Sequence, residues 1–141
     1  WLMMLLVAGT GDLLGNGLKH IFAQPRPCYV LADQVRQLHY LPCQPCGGTL
    51  NGMPSNHALN GFAVAAFLTI VLRRRGWSAP LFAIAVLVAL SRVYLAKHYP
   101  SQIAVGAVVG TLWGLAAAWL GLHYLPFMRR FQEKGGGDHR R

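Results

Sequence analysis

Acidic side chains are nearly missing from this chain: Asp12, Asp33, Glu133 and Asp138 are the only 4 carboxylates in 141 residues. Local spacing brings no two of them together, so a site of paired acids, or one where carboxylates hold a metal ion, is hard to assemble. Charge of either sign is scarce, at 12% of residues, against 54% hydrophobic residues and a mean hydropathy of +0.36. That balance excludes a disordered or collagen-like chain and is too apolar for an ordinary soluble domain of this length. The charge that remains is lopsided: 13 Lys and Arg give a formal net charge of +9 and a pI near 10.2. Such an excess suits a nucleic acid or an anionic membrane surface, and the hydropathy decides for the membrane and against nucleic acid. Any chemistry must run on His, Lys and Arg.

The run from Ile103 to Leu122 carries no formal charge. At about 1.5 Å per residue it is long enough for the ~30 Å hydrocarbon core, and it predicts a transmembrane helix. Ala58 to Leu72, and Ala79 to Ala96 with Arg92 inside it, are read as spans in its company. Trp1 to Leu18 carries Asp12 among Gly9, Gly11, Gly15 and Gly17. It reads as a helix packed inside a bundle, with Asp12 as a structural hydrogen-bonding group. Gly106, Gly110, Gly114 and Ala118 recur every fourth residue, which puts small side chains on one helix face and lets another backbone come close.

Arg73 to Arg75, and Arg129, Arg130, Lys134, Arg140 and Arg141, mark the cytoplasmic side. Alternating spans then place Lys19, Arg26, Arg36, Arg92 and Lys97 on the opposite side, where the positive-inside bias gives them no topological reason to be. The expected architecture is all-α: a polytopic transmembrane bundle of about four spans over residues 1–128, with an external loop at about 24–54. A basic cytoplasmic tail, 129–141, is expected to be flexible and solvated. The start at Trp1 offers neither a basic leader nor a small-residue cleavage site, so no signal peptide is expected, and the lack of an initiating Met predicts a fragment.

The 24–54 loop holds Pro25, Pro27, Pro42, Pro45, three glycines and all three cysteines. Cys43 and Cys46 have the two-residue gap of a zinc site, with Cys28 and His39 as further ligands, but no second pair exists. In an oxidising compartment a disulfide from Cys28 to Cys43 or Cys46 is the simpler account, and either arrangement staples the loop near Arg26.

Three clusters meet at one membrane face: Lys19 with Arg26-Pro27, Pro54-Ser55-Asn56-His57, and Ser91-Arg92 with His98. Three fixed cations suit a phosphate dianion, since Arg presents a planar fork to its oxygens and Lys a point charge. Ser55 and Asn56 precede a helix, whose free N–H groups and dipole add anion-binding donors. His57 and His98 supply a general acid and a nucleophile. Taken singly, each residue has a plainer account, as an interfacial anchor or, for Ser55 and Asn56, a helix N-cap. Anchoring does not account for the whole set gathered on the side disfavoured for positive charge. His20, His39, His123 and His139 lack such company and are read as interface, loop or tail residues, and Asn60 and Thr69 as helix-packing hydrogen bonders.

These motifs resemble the membrane-bound type 2 phosphatidic acid phosphatases, which share their site with vanadium haloperoxidases. Lys19 to Pro27 (KHIFAQPRP) fits that family's first motif, Lys, six residues, Arg-Pro. Pro54-Ser55-Asn56-His57 fits its Pro-Ser-Gly-His, with Asn for Gly, a change expected to be mild because both residues tolerate a left-handed backbone. Ser91-Arg92 to His98 (SRVYLAKH) fits the third, except that Gln102 stands where Asp is expected. The resemblance implies that Lys19, Arg26 and Arg92 clamp a phosphoryl group, completed by Ser55 and the Asn56 amide. His98 would attack phosphorus and form a phosphohistidine, and His57 would protonate the leaving oxygen and later activate water. No metal or organic cofactor is implied. The neutral Gln102 can orient His98 but cannot supply charge, so the resemblance implies a weakened phosphatase whose turnover Gln102→Asp should raise.

The family usually has six spans, so two N-terminal helices are expected to be missing. The Arg26-Pro27-Cys28 run, the later cysteines and the PSNHA form resemble bacterial members that act on undecaprenyl diphosphate, the carrier lipid of cell-wall synthesis. Phosphatidic acid and phosphatidylglycerol phosphate stay open as substrates, as do lipid phosphotransfer and non-catalytic binding of phosphorylated lipids. The resemblance implies a bacterial-type cytoplasmic membrane, with the site on the non-cytoplasmic side.

Overall fold

The computed structural model describes residues 2–31, 50–73 and 75–136. Those residues form six helices: α1 (Leu2–Phe22), α2 (Pro27–Val30), α3 (Asn56–Leu72), α4 (Arg75–Tyr94), α5 (Pro100–Tyr124) and α6 (Pro126–Gly136). The fold is an all-α membrane bundle. Gly76–Tyr94 and Pro100–Tyr124 are long and apolar enough to cross a membrane by length and composition, and Asn56–Leu72 is a shorter apolar helix.

α3 is the central element, in contact with α1, α4, α5 and α6. Its composition explains this: Ala58, Leu59, Ala63, Ala65, Ala66 and Phe67 are all buried, and four of the six are small. The closest packing is against α5. A Cβ added at Gly110 or Gly114 would lie far inside van der Waals contact distance of the carbonyl oxygen of Leu59 or Ala63, and one at Gly106 would lie 2.7 Å from that of Ser55. Three glycines at a spacing of four thus face three carbonyls at a spacing of four. In lipid, where hiding apolar surface gains little, such close backbone contact is a main source of helix association.

At the far end from Ser55, Val7, Phe67, Val71, Ala118 and Met128 close the core. The Trp113 indole N–H donates to the Val7 carbonyl at 3.2 Å. The basic segment after α5 is helical through Gly136, with Arg129 and Arg130 exposed. Arg129 explains its docking, donating to the carbonyls of Leu122 and His123, the uncapped end of α5, while Gln132 reaches the Ile70 carbonyl at 2.9 Å. The outer faces of α4 and α5 carry exposed Ile84, Leu87, Leu90, Val108 and Leu112, the surface a lipid-facing bundle presents.

The two kinds of glycine predict opposite outcomes. Gly110→Ala or Gly114→Ala drives a methyl into backbone that cannot yield, and should cost roughly 1–3 kcal/mol. Gly9 and Gly17 have nothing within 4 Å of an added Cβ, so alanine there should be neutral or slightly stabilising. Thermal unfolding midpoints in detergent check both.

Candidate active site

The first motif lies where α1 ends. Lys19, half-buried, sits in the last turn of α1, and the chain leaves the helix through Ala23, left-handed at φ 41° with its N–H on the Lys19 carbonyl. Arg26 then precedes α2, whose first residue is Pro27, a favoured N-terminal position because proline has no N–H to lose. Two backbone bonds tie this strip to the rest: Gly52 N–H to the Gln24 carbonyl at 2.7 Å, and Cys28 N–H to the Ala96 carbonyl at 3.0 Å. Cys28 is buried and disulfide-bonded, which favours the disulfide account over zinc. Cys43 and Cys46, the two cysteines that could complete the bond, lie outside the described residues, as do Asp33, Arg36, His39 and His139.

The second motif opens α3. Ser55 is its N-cap residue and fully buried, yet its side chain does not cap. The Ser55 N–H donates to the Gln102 carbonyl at 3.1 Å, and its Oγ has no hydrogen-bond partner among the described residues. The first helical bond runs from Leu59 N–H to the Ser55 carbonyl at 2.9 Å, so the N–H groups of Asn56, His57 and Ala58 have no acceptor within the helix. A buried hydroxyl and free N–H groups at the positive end of a helix form an anion cradle. His57 is exposed on the same turn.

Asn56 is helical, which corrects the expectation that it replaces glycine by tolerating a left-handed backbone; Ala23, Arg73 and Ala96 are the left-handed non-glycine residues among those described. The Asn56 amide is used instead. It donates to Asp12 at 3.1 Å and to Asn16 at 3.0 Å on α1.

The third motif lies at the turn from α4 to α5. α4 ends with Ala96 left-handed at φ 52°, Ala96 N–H on the Val93 carbonyl and Lys97 N–H on the Arg92 carbonyl, the double bond pattern of a Schellman cap. This turn brings His98 back over Arg92, whose carbonyl also accepts the His98 N–H at 3.3 Å. The Arg92 Nε is buried without a hydrogen-bond partner among the described residues.

His98 is 5% exposed, and its Nδ1 lies 2.9 Å from the Gly52 carbonyl and 3.1 Å from Gln102 Oε1. The Gln102 amide has one consistent orientation: Nε2 donates to the Pro25 carbonyl at 2.9 Å and Oε1 accepts from the Tyr99 N–H at 3.2 Å. Both neighbours of Nδ1 are therefore acceptors. Nδ1 carries the proton, and Nε2 keeps its lone pair. Burial holds the imidazole pKa down at about 4, with Arg26 and Lys19 acting in the same direction and the bonds to Gln102 and Gly52 opposing. The ring is neutral at pH 7.

Lys19 and Arg26 act electrostatically on both His57 and His98, and Arg92 acts on His57. The structure thus gathers Lys19, Arg26, Ser55, Asn56, His57, Arg92, His98 and Gln102 at one end of the bundle. His20 is exposed on α1 away from these bonds, and His123 stacks on Trp119 at 5.5 Å near the opposite end. Sequence reasoning missed Gly52 and the Pro25 carbonyl. A Cβ on Gly52 would lie 2.6 Å from Gln102 Nε2 and 2.8 Å from the Gln24 and Pro25 carbonyl oxygens, so only glycine fits where the strips cross. Its position just before the second motif was the one available signal. Gly52→Ala should lower both stability and any His98-dependent activity, the activity by at least tenfold, as read by turnover per folded molecule.

Comparison with known proteins follows the same residues. The PAP2 superfamily model matches residues 1–125. Dolichyldiphosphatase 1 of Rhinolophus ferrumequinum is 35% identical over 118 residues, covering 72% of this chain and 44% of that protein. Lipid A 4′-phosphatase of Helicobacter pylori (strain J99) is 37% identical over 75 residues, 52% of this chain and 35% of that protein. The bacitracin transport permease protein BcrC of Bacillus licheniformis is 32% identical over 69 residues, 49% and 33% respectively. The matches span less than half the length of these relatives. No solved structure matches. With its model matched over nearly the whole chain, the three motifs stand in their family setting, and the chain belongs to the PAP2 superfamily.

Proposed function

We propose that this chain carries the catalytic part of an integral membrane lipid phosphatase acting through a phosphohistidine, with no metal ion required. The observation that carries the reading is His98: a buried neutral imidazole, its Nδ1 proton taken by two acceptors, and its bare Nε2 among fixed cations. Nε2 attacks phosphorus, the bond from phosphorus to the leaving oxygen breaks, and His57 gives that oxygen a proton. Water, activated by the now neutral His57, then attacks the phosphohistidine, releasing phosphate and restoring His98. Lys19, Arg26 and Arg92, with Ser55 and the Asn56 N–H, hold the phosphoryl oxygens as charge spreads over them.

Undecaprenyl diphosphate is the favoured substrate, supported by the Arg26-Pro27-Cys28 and PSNHA runs and by the long match to a dolichyldiphosphatase. Phosphatidic acid and phosphatidylglycerol phosphate are the alternatives, and the match to a lipid A 4′-phosphatase supports a monoester reading. The Lys and Arg distribution supports a site on the non-cytoplasmic side of a bacterial-type cytoplasmic membrane. A second reading, a non-catalytic binder of phosphorylated lipids, rests on Gln102, which orients His98 but brings no charge to its imidazolium. Transfer of the phosphoryl group to a second lipid shares the first step.

Phosphate release from undecaprenyl diphosphate and phosphatidic acid, measured in detergent with EDTA, tests the reading. Release is expected from the chain and not from His98→Ala. Release abolished by EDTA, or kept in the variant, overturns the mechanism, and lipid binding without release favours the binder.

The pH profile tests the His98 assignment. The nucleophile must be neutral, and its pKa of about 4 lies below the ordinary 6.5, so kcat/KM should hold its His98-dependent value through pH 6 and fall only toward pH 4. Gln102→Glu keeps the reach of the side chain, gives up the donor to Pro25 and adds a negative charge, which raises the His98 pKa and moves that limb to higher pH. If the missing charge weakens the enzyme, Gln102→Asp or Gln102→Glu should also raise turnover at neutral pH. Unchanged or lower turnover in both removes that explanation.

A further inference from the structure

Asp12 and Asn16 lie one turn apart on α1 and face Asn56 and Asn60, one turn apart on α3. Asp12 Oδ1 accepts from Asn56 Nδ2 at 3.1 Å and from Asn60 Nδ2 at 2.8 Å. Asn16 Oδ1 accepts from Asn56 Nδ2 at 3.0 Å and from the Lys19 ammonium at 3.4 Å. The other ends of the two α3 amides are just as constrained. The Oδ1 atoms of Asn56 and Asn60 are buried without an N–H or O–H partner among the described residues, and a Cβ added to Gly15 or Gly11 would collide with them. Each amide thus packs its oxygen against a glycine of α1 and gives its N–H to the next residue of that helix, a ladder of two rungs. Asp12 sits mid-way along α1, and its hydrogen bonds run to α3, the helix that the second motif opens.

We propose that Asp12 and Asn16 are positioning residues for the phosphoryl site, holding the first turn of α3 and the Lys19 ammonium in one register. The inference rests on the phosphatase reading above and names two residues outside the three motifs. The ladder joins the first and second motifs directly: Asn16 touches Lys19 on one side and Asn56, the neighbour of Ser55 and His57, on the other. Asp12 also acts electrostatically on both Lys19 and His57. A helix rotation that broke one rung would carry Lys19 away from the cradle at Ser55. A structural role alone would change how much protein folds, whereas a positioning role changes what each folded molecule does.

The test compares Asp12→Leu, Asp12→Asn and Asn16→Ala with the unaltered chain, in detergent and per folded molecule after size exclusion. The readouts are kcat, KM and affinity for inorganic orthovanadate. Asp12→Asn keeps an oxygen that can accept both α3 amides and should stay within about threefold in kcat. Asp12→Leu should lose at least tenfold in kcat and bind vanadate at least tenfold more weakly, and Asn16→Ala should weaken vanadate binding similarly through Lys19. Equal kcat and vanadate affinity per folded molecule in Asp12→Leu and Asn16→Ala would overturn the proposal. If Asp12→Leu does not fold, Asn16→Ala decides alone. If the unaltered chain binds vanadate but releases no phosphate, the phosphatase reading fails while vanadate affinity still decides the positioning role; if it binds neither, both fall.

Discussion

The distance between α3 and α5 is the constraint on which the rest of the molecule depends. Gly106, Gly110 and Gly114 let the α5 backbone lie against the carbonyls of Ser55, Leu59 and Ala63, and the same approach delivers the Gln102 carbonyl to the Ser55 N–H. That bond ties the start of α3 to the start of α5, the second motif to the third. Had the helices been spaced by ordinary side chains, interaxial separations of about 8–10 Å would have left that bond unmade. The glycine stripe and the site are one feature, seen at the middle of the helices and at their ends.

Gln102 is the second point of convergence. It touches the first motif through Pro25, the third through His98, and its own helix start through Tyr99, all with one planar amide. A carboxylate could accept from His98 and Tyr99 but could not donate to Pro25. The glutamine therefore trades charge on the imidazole for a bond that fixes the Arg26 strip. The cost falls on stabilising an imidazolium, and the gain falls on the placement of the Arg26 guanidinium.

Much of this was legible in the sequence, and the reasons differ by residue. The long uncharged run of α5 and the glycine spacing gave the helical bundle, because hydrophobic length and small-residue period are local properties. Lys19, Arg26, His57, Arg92 and His98 could be singled out because the positive-inside expectation left cations and histidines of three separate segments without a topological explanation. Gln102 could be read as a partner of His98, but the main-chain partners of the pair could not. Gly52 and Pro25 act through carbonyl oxygens, which every residue has, and they come from 46 and 77 positions away from His98 and Gln102 respectively. The role of Asn56 was misread for a related reason: its value lies in amide bonds to another helix, which only tertiary packing shows. The helical form of α6 was hidden because its anchor, Arg129, caps α5 from outside any local period.

Apart from the Arg26 side chain, the strip around residues 24–26 and Gly52 meets the site through main-chain atoms: the carbonyls of Gln24, Pro25 and Gly52 and the N–H groups of Gly52 and Cys28. Main-chain atoms survive most substitutions. At Gln24 and Pro25 the structure uses the path of the chain and not the side chain, whereas at Gly52 the lack of a side chain is itself the requirement. Substitution at Gln24, whose side chain is exposed, therefore leaves the brace on His98 and Gln102 intact, a tolerance that does not extend to Gly52.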